Sequence, residues 1–104
     1  MRIRKIINEF RLEIEKIYDK RLKEIILYGS WARGDAHAGS DIDLAIVLKG
    51  KVVPGKEIDR MLDIITDLNL KHRVLISVYP VSEKSYLSIN SPLLLNLRRE
   101  GIPA

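Results

Sequence analysis

Between Leu27 and Leu48 the chain carries a pattern that few folds accommodate. An apolar segment stops at Gly29, a serine and a second glycine follow in Ser30-Trp31-Ala32-Arg33-Gly34, and two acids one residue apart, Asp41 and Asp43, open a second apolar segment. The run Leu44-Ala45-Ile46-Val47-Leu48 has no polar interruption, as expected of a strand covered on both faces. Side chains two apart on a strand share a face, about 6.5–7 Å from each other at the usual rise per residue. Residues 41–48 as a strand therefore bring Asp41 and Asp43 to one side, with Ile42, Leu44 and Ile46 on the other. Two like charges so placed repel, and a cation between them removes the repulsion. With oxygen ligands only and no cysteine in the chain, Mg2+ or Mn2+ suits them best.

The glycine loop supplies the other half of the pattern. Gly29, lacking a Cβ, lets backbone approach a ligand closely, and Ser30 would present its hydroxyl and the free amides of a helix start to a phosphate. An ordinary strand-to-helix turn with Ser30 as N-cap fits the same residues, as does a capped strand on which Asp43 merely faces solvent. Arg33 is placed either on phosphate or in solvent, and Trp31, the only tryptophan, either packs the short helix or stacks on a base. His37 has no partner at a metal-ligand spacing and reads as a loop residue.

Gly29-Ser30, Gly34 and Ser40-Asp41-x-Asp43-Leu44 resemble the G-S-x-x-x-G and S-D-x-D-L signature of the DNA polymerase beta nucleotidyltransferase superfamily. The chain's shortness points to the minimal nucleotidyltransferase branch, many of whose members are encoded beside a HEPN-domain protein in two-gene toxin–antitoxin systems, and the resemblance runs through nearly all of the chain. It implies the polymerase beta palm-like fold and an NTP, with ATP the expected nucleotide, held on two divalent metals. Asp41 and Asp43 become the catalytic metal ligands, and Gly29, Ser30, Arg33, Gly34 and Ser40 the nucleotide-binding residues. The implied reaction moves a nucleotidyl group to an acceptor hydroxyl, expected on a HEPN-domain toxin to which this chain is antitoxin, in a hetero-oligomer or beside a second copy.

One position departs from that family. A third carboxylate stands there on the third strand, and the alignment of residues 74–79 puts Ser77 in its place. A serine brings no charge to hold a metal or to take a proton. Three functions remain open: a transferase whose acceptor or partner supplies the missing group, a degenerate module that binds Mg-NTP without transfer, and an antitoxin that acts by contact. Should the register differ, Asp35 and Glu83 are the next third ligands to consider.

The remaining chain bounds these readings. Its 104 residues, 46% hydrophobic and 31% charged, are expected to form one domain, 1–104, with an α/β or α+β architecture. The net charge of +4 invites a nucleic-acid partner, but residues 1–24 interleave eight Lys/Arg with five acids, the pattern of an ion-paired helix face, and no basic-aromatic interleaving is present. No apolar run approaches a membrane span, no signal-peptide core follows residues 1–5, and a cytoplasmic setting is expected. Ile3, Ile6, Ile7, Phe10, Ile14, Ile17 and Tyr18 recur at helical spacing, predicting an amphipathic helix of about five turns. Residues 24–28 predict a first strand, 56–71 a helix with Ile58, Met61, Leu62, Ile65 and Leu68 on one face, and 73–79 a third strand ended by Pro80. Ser82 and Ser91-Pro92 predict the starts of two more helices, the last rich in leucine and stopped at Gly101. The order is αβ(α)βαβαα, a three-stranded sheet with helices packed on it.

Overall fold

The isoleucine-rich stripe of the first segment folds as helix α1 (Ile3–Tyr18) in the computed structural model, which describes residues 3–104. Met1 and Arg2, counted above in the N-terminal charge pattern, lie outside the described residues. Helix α1 buries Ile6, Ile7, Phe10, Ile14 and Tyr18, a stripe that continues from Ile14 to Tyr18 and leaves Ile17 at its edge, 38% exposed. A single 3-10 turn, Asp19–Arg21, leads into β1 (Leu22–Tyr28). The one-turn helix α2 (Ser30–Arg33) and a loop precede β2 (Ile42–Leu48), and helix α3 (Pro54–His72) crosses to β3 (Ile76–Ser82). Helices α4 (Glu83–Ser88) and α5 (Pro92–Glu100) and the two-residue strand β4 (Ile102–Pro103) complete the chain.

The sheet has four strands in the order β3-β2-β1-β4, not the three expected. Strand β1 pairs antiparallel with both β2 and β4, whereas β2 and β3 run parallel. The central β2 is buried at every residue but Asp43, as its unbroken apolar run requires. Ile42, Leu44, Ile46 and Leu48 share one core with Ile6, Phe10 and Ile14 of α1 and Met61 and Ile65 of α3. Ala45 and Val47 pack on the opposite face with Ile26, Val81 and Leu94 and Leu97 of α5.

Three boundaries differ from the sequence expectation. Strand β4, two residues long and not expected, follows Gly101, where a Cβ would lie 2.4 Å from Ile26 Cγ2 and 2.4 Å from the Leu97 carbonyl oxygen. Helix α3 turns Glu57, Met61, Ile65, Leu68 and His72 inward, so Leu62 is 51% exposed and Ile58 lies at the rim. Strand β3 starts three residues late and runs on through Pro80. The Leu75 carbonyl accepts from Ile42 N at 2.9 Å, so odd-numbered residues of β3 turn their backbone groups toward β2 and even-numbered ones outward. Pro80 thus stands where its missing N–H empties no ladder position, and the outward amide of Ile76 is taken by Asn69 Oδ1 at 2.9 Å.

Candidate functional site

The proposed site residues gather at one end of the sheet, where β1 stops and β2 and β3 begin. Gly29 caps α2 with φ 73° and ψ −155°, a conformation essentially restricted to glycine. A Cβ on it would lie 2.2 Å from Asp43 Oδ2, so the room left by its bare Cα is filled by a carboxylate of β2. Ser30 is the first residue of α2 rather than its N-cap, and its carbonyl accepts from Gly34 N and Asp35 N at 3.0 and 3.1 Å. Gly34, with φ 83°, ends the turn in the left-handed conformation. With four residues α2 has little macrodipole to offer, and any anion held here meets loop amides and the serine hydroxyl instead.

Asp41 is exposed just ahead of β2, and Asp43 is half-buried as its second residue. Burial first, and then the charge of Asp41, push the Asp43 carboxyl above the ordinary aspartate value, while Arg33 pulls it down. The charges of Asp41 and Arg33 therefore both reach Asp43, although β2 begins at Ile42 and leaves Asp41 outside the strand expected from residue 41. Arg33 is not free: its Nε lies 3.2 Å from Asp35 Oδ2 and its Nη1 4.0 Å from Glu100 Oε2. Ser40 Oγ accepts from His37 N at 3.0 Å and its carbonyl from Trp31 Nε1 at 3.2 Å, so this serine closes the loop and anchors Trp31 to the residue before Asp41. Trp31 also packs against the α1/α3 core, the packing alternative of the two weighed for it. His37 stays in the loop, its Nδ1 accepting from Gly39 N.

Strand register places Ser77 directly beside Asp43, in the position expected from the sequence. In-register neighbours share a face, so Tyr28, Asp43 and Ser77 form a row across β1, β2 and β3. Ser77 is exposed. Burial, then Asp43, then Tyr79, push the Tyr28 phenol above its usual pKa, which sets its ring beside the acid; nothing in the local sequence distinguishes this tyrosine from a core residue. Asp35 is committed to Arg33, and Glu83 follows Ser82, which pairs with Leu48 at the far end of the sheet, so neither joins the acids. Among the described residues no group of three or more His, Cys, Asp or Glu is placed to hold a metal. Two oxygen-only carboxylates nevertheless fit a hard divalent cation whose other ligands are phosphate and water. Clefts of about 370 and 340 Å3 lie away from these residues, at Arg11–Glu24 and between β3 and helices α4 and α5.

Two proteins from Methanocaldococcus jannaschii, provisionally named protein adenylyltransferases MJ0604 and MJ0141, are similar to this chain. The first is 40% identical over 98 residues, spanning 93% of this chain and 92% of that protein. The second is 39% identical over 77 residues, spanning 74% and 77%. A toxin–antitoxin crystal structure with AMP-PNP shares the fold at TM-score 0.63 and 18% identity, over 92% of this chain and 71% of that one. A Sulfolobus solfataricus structure described as a nucleotidyltransferase does so at TM-score 0.58 and 23% identity, over 95% and 76%. Residues 4–93 match the family model described as a nucleotidyltransferase domain, and with Asp43 seated against the Gly29 loop this chain belongs to that family.

Proposed function

We infer that the chain transfers a nucleotidyl group from a nucleoside triphosphate, ATP by preference, to a hydroxyl on a partner protein. The observation that carries this is Asp43, within reach of the charge of Asp41, seated against Gly29 where β2 begins. The names of the similar M. jannaschii proteins support a protein acceptor. Asp41 and Asp43 would hold Mg2+ or Mn2+, which when bound neutralises triphosphate charge and polarises the phosphoryl oxygens. Ser30 donates to a phosphate oxygen, and Arg33 offers its guanidinium once turned from Asp35 and Glu100. The acceptor oxygen bonds to the α-phosphorus, the bond from that phosphorus to pyrophosphate breaks, and pyrophosphate leaves. Ser77 cannot take the hydroxyl proton, so the acceptor or its protein supplies that group.

A HEPN-domain toxin encoded nearby is the partner we propose, with this chain as antitoxin in a cytoplasmic complex. The fold shared with a toxin–antitoxin structure supports this, as does the exposure of Leu93 and Leu95 on α5. No helix among the described residues is long and apolar enough to cross a membrane. A non-catalytic module that binds Mg-NTP or acts by contact is the second reading, favoured by Ser77 at the third position.

Mg-ATP at a hundredfold excess over Kd should stabilise the chain by about 2.7 kcal/mol, and Asp41→Asn or Asp43→Asn should remove the metal-dependent part of that shift. An undiminished shift in both variants places the nucleotide elsewhere. Label from the α-phosphate of ATP should appear on a co-expressed HEPN partner; its absence, with nucleotide binding intact, favours the second reading. In that case Ser77→Asp, against Ser77→Asn, should tighten metal binding and restore transfer.

A further inference from the structure

We propose that Ser77 is itself an acceptor: without a partner hydroxyl, the chain nucleotidylates its own Ser77 once. The proposal rests on the transferase reading above and adds a substrate to it. Ser77 is the neighbour of Asp43 across the parallel β2–β3 pair, on the same face, and strands lie about 4.8 Å apart in that direction. Its side chain is exposed at the start of an edge strand. On the other side of Asp43 stand Tyr28 and the Gly29 loop, whose close approach sets the carboxylate between the cradle and Ser77. A triphosphate lying over Gly29 and Ser30 and drawn to the paired acids therefore reaches toward β3 at Ser77.

The other hydroxyls nearby are placed differently. Ser40 Oγ is held by the His37 amide, Ser30 belongs to the cradle itself, and Tyr28 is half-buried below the acid. In the step proposed, Ser77 Oγ bonds to the α-phosphorus, the bond from phosphorus to the pyrophosphate bridging oxygen breaks, and pyrophosphate departs. The hydroxyl proton passes to water at this exposed position. The product carries a nucleoside monophosphate ester beside Asp43, which blocks a second nucleotide and limits the reaction to one turnover per chain. A partner that brings its own hydroxyl competes with this event.

The test uses the full chain alone with Mg2+ and each of the four ribonucleoside triphosphates, followed by intact-mass measurement and peptide mapping. One nucleotidyl group should add per chain, with one equivalent of pyrophosphate, and map to Ser77. Ser77→Ala should lose the adduct and Ser77→Thr, which keeps a hydroxyl, should retain it, both having normal circular dichroism. An adduct on Tyr28, Ser30 or Ser40, or one that persists in Ser77→Ala, overturns the proposal. Label reaching a separate protein while the chain itself stays unmodified overturns it too and leaves the transferase reading standing. Absence of any nucleotide-dependent thermal shift or adduct removes both.

Discussion

At the scale of single residues, Gly29 governs the site in two ways, through a backbone conformation that other residues avoid and through contact with Asp43. Gly29→Ala is expected to cost about 1–3 kcal/mol of strain. Because the new methyl meets Asp43 Oδ2 at 2.2 Å, it should also weaken Mg2+ binding, measured by calorimetry on the folded variant. Asp43 itself gives a second expectation. Its carboxyl is raised by burial and by Asp41, so the folded chain binds that proton more tightly than the unfolded one. Its contribution is most favourable at low pH and is lost as pH rises from the ordinary aspartate value through the folded one. Asp43→Asn should therefore raise the metal-free melting temperature at neutral pH and flatten its pH dependence in the acidic window just above the ordinary aspartate value, while Mg2+ should no longer stabilise the variant. That Asp41 and Asp43 lie close together was legible from the strand period of two, whereas Ser77 beside Asp43 was expected only from the family resemblance of its strand. That Gly29 makes room for a carboxylate was not legible, since a glycine in a chain names no contact partner.

At the scale of elements, α1 and α3 are joined by two polar clamps that sequence periodicity does not announce. Tyr18 donates to Glu57 Oε1 at 2.9 Å in a buried setting, with Arg60 3.7 Å from the same oxygen. Tyr18→Phe leaves that acceptor short of its hydrogen bond and should cost about 1–3 kcal/mol in denaturant unfolding with an unchanged m-value. At the other end Glu9 binds Lys71 at 2.6 Å and also His72, and the Lys71 hydrogen bond, then that of His72, hold its carboxyl below the usual glutamate value. The stabilisation from this clamp is present above the ordinary glutamate range and fades as pH falls through the lowered value. The helix itself was readable, but its inward face was assigned by hydrophobicity alone, and Glu57 and His72 took places expected for Ile58 and Leu62 because each had a partner. The serine caps were easier to read: Ser82 and Ser91 accept from Ser85 N and Leu94 N at 3.1 and 3.2 Å, a purely local bond that needs no tertiary context.

At the scale of the whole molecule, the sheet carries a core on each face, and several apolar side chains stay exposed outside both. Leu93 and Leu95 are 37% and 46% exposed on the helix whose Leu94 and Leu97 fill the second core. Sedimentation at tens of micromolar should therefore show self-association or, with the HEPN protein present, a complex, and Leu95→Lys should shift either toward monomer; a strict monomer that binds no such protein contradicts this. The outer edge of β3 does not offer the alternative of strand addition, with Pro80 lacking an N–H and the Ile76 amide already bound. The Tyr28–Asp43 pairing carries one more consequence, for the order of events in folding. The glycine loop and both acids belong to a single antiparallel hairpin, so bringing them together closes only a short loop, whereas Ser77 arrives through the α3 crossover. A chain emerging from the ribosome thus assembles its acids and glycine loop before Ser77 can take its place beside Asp43.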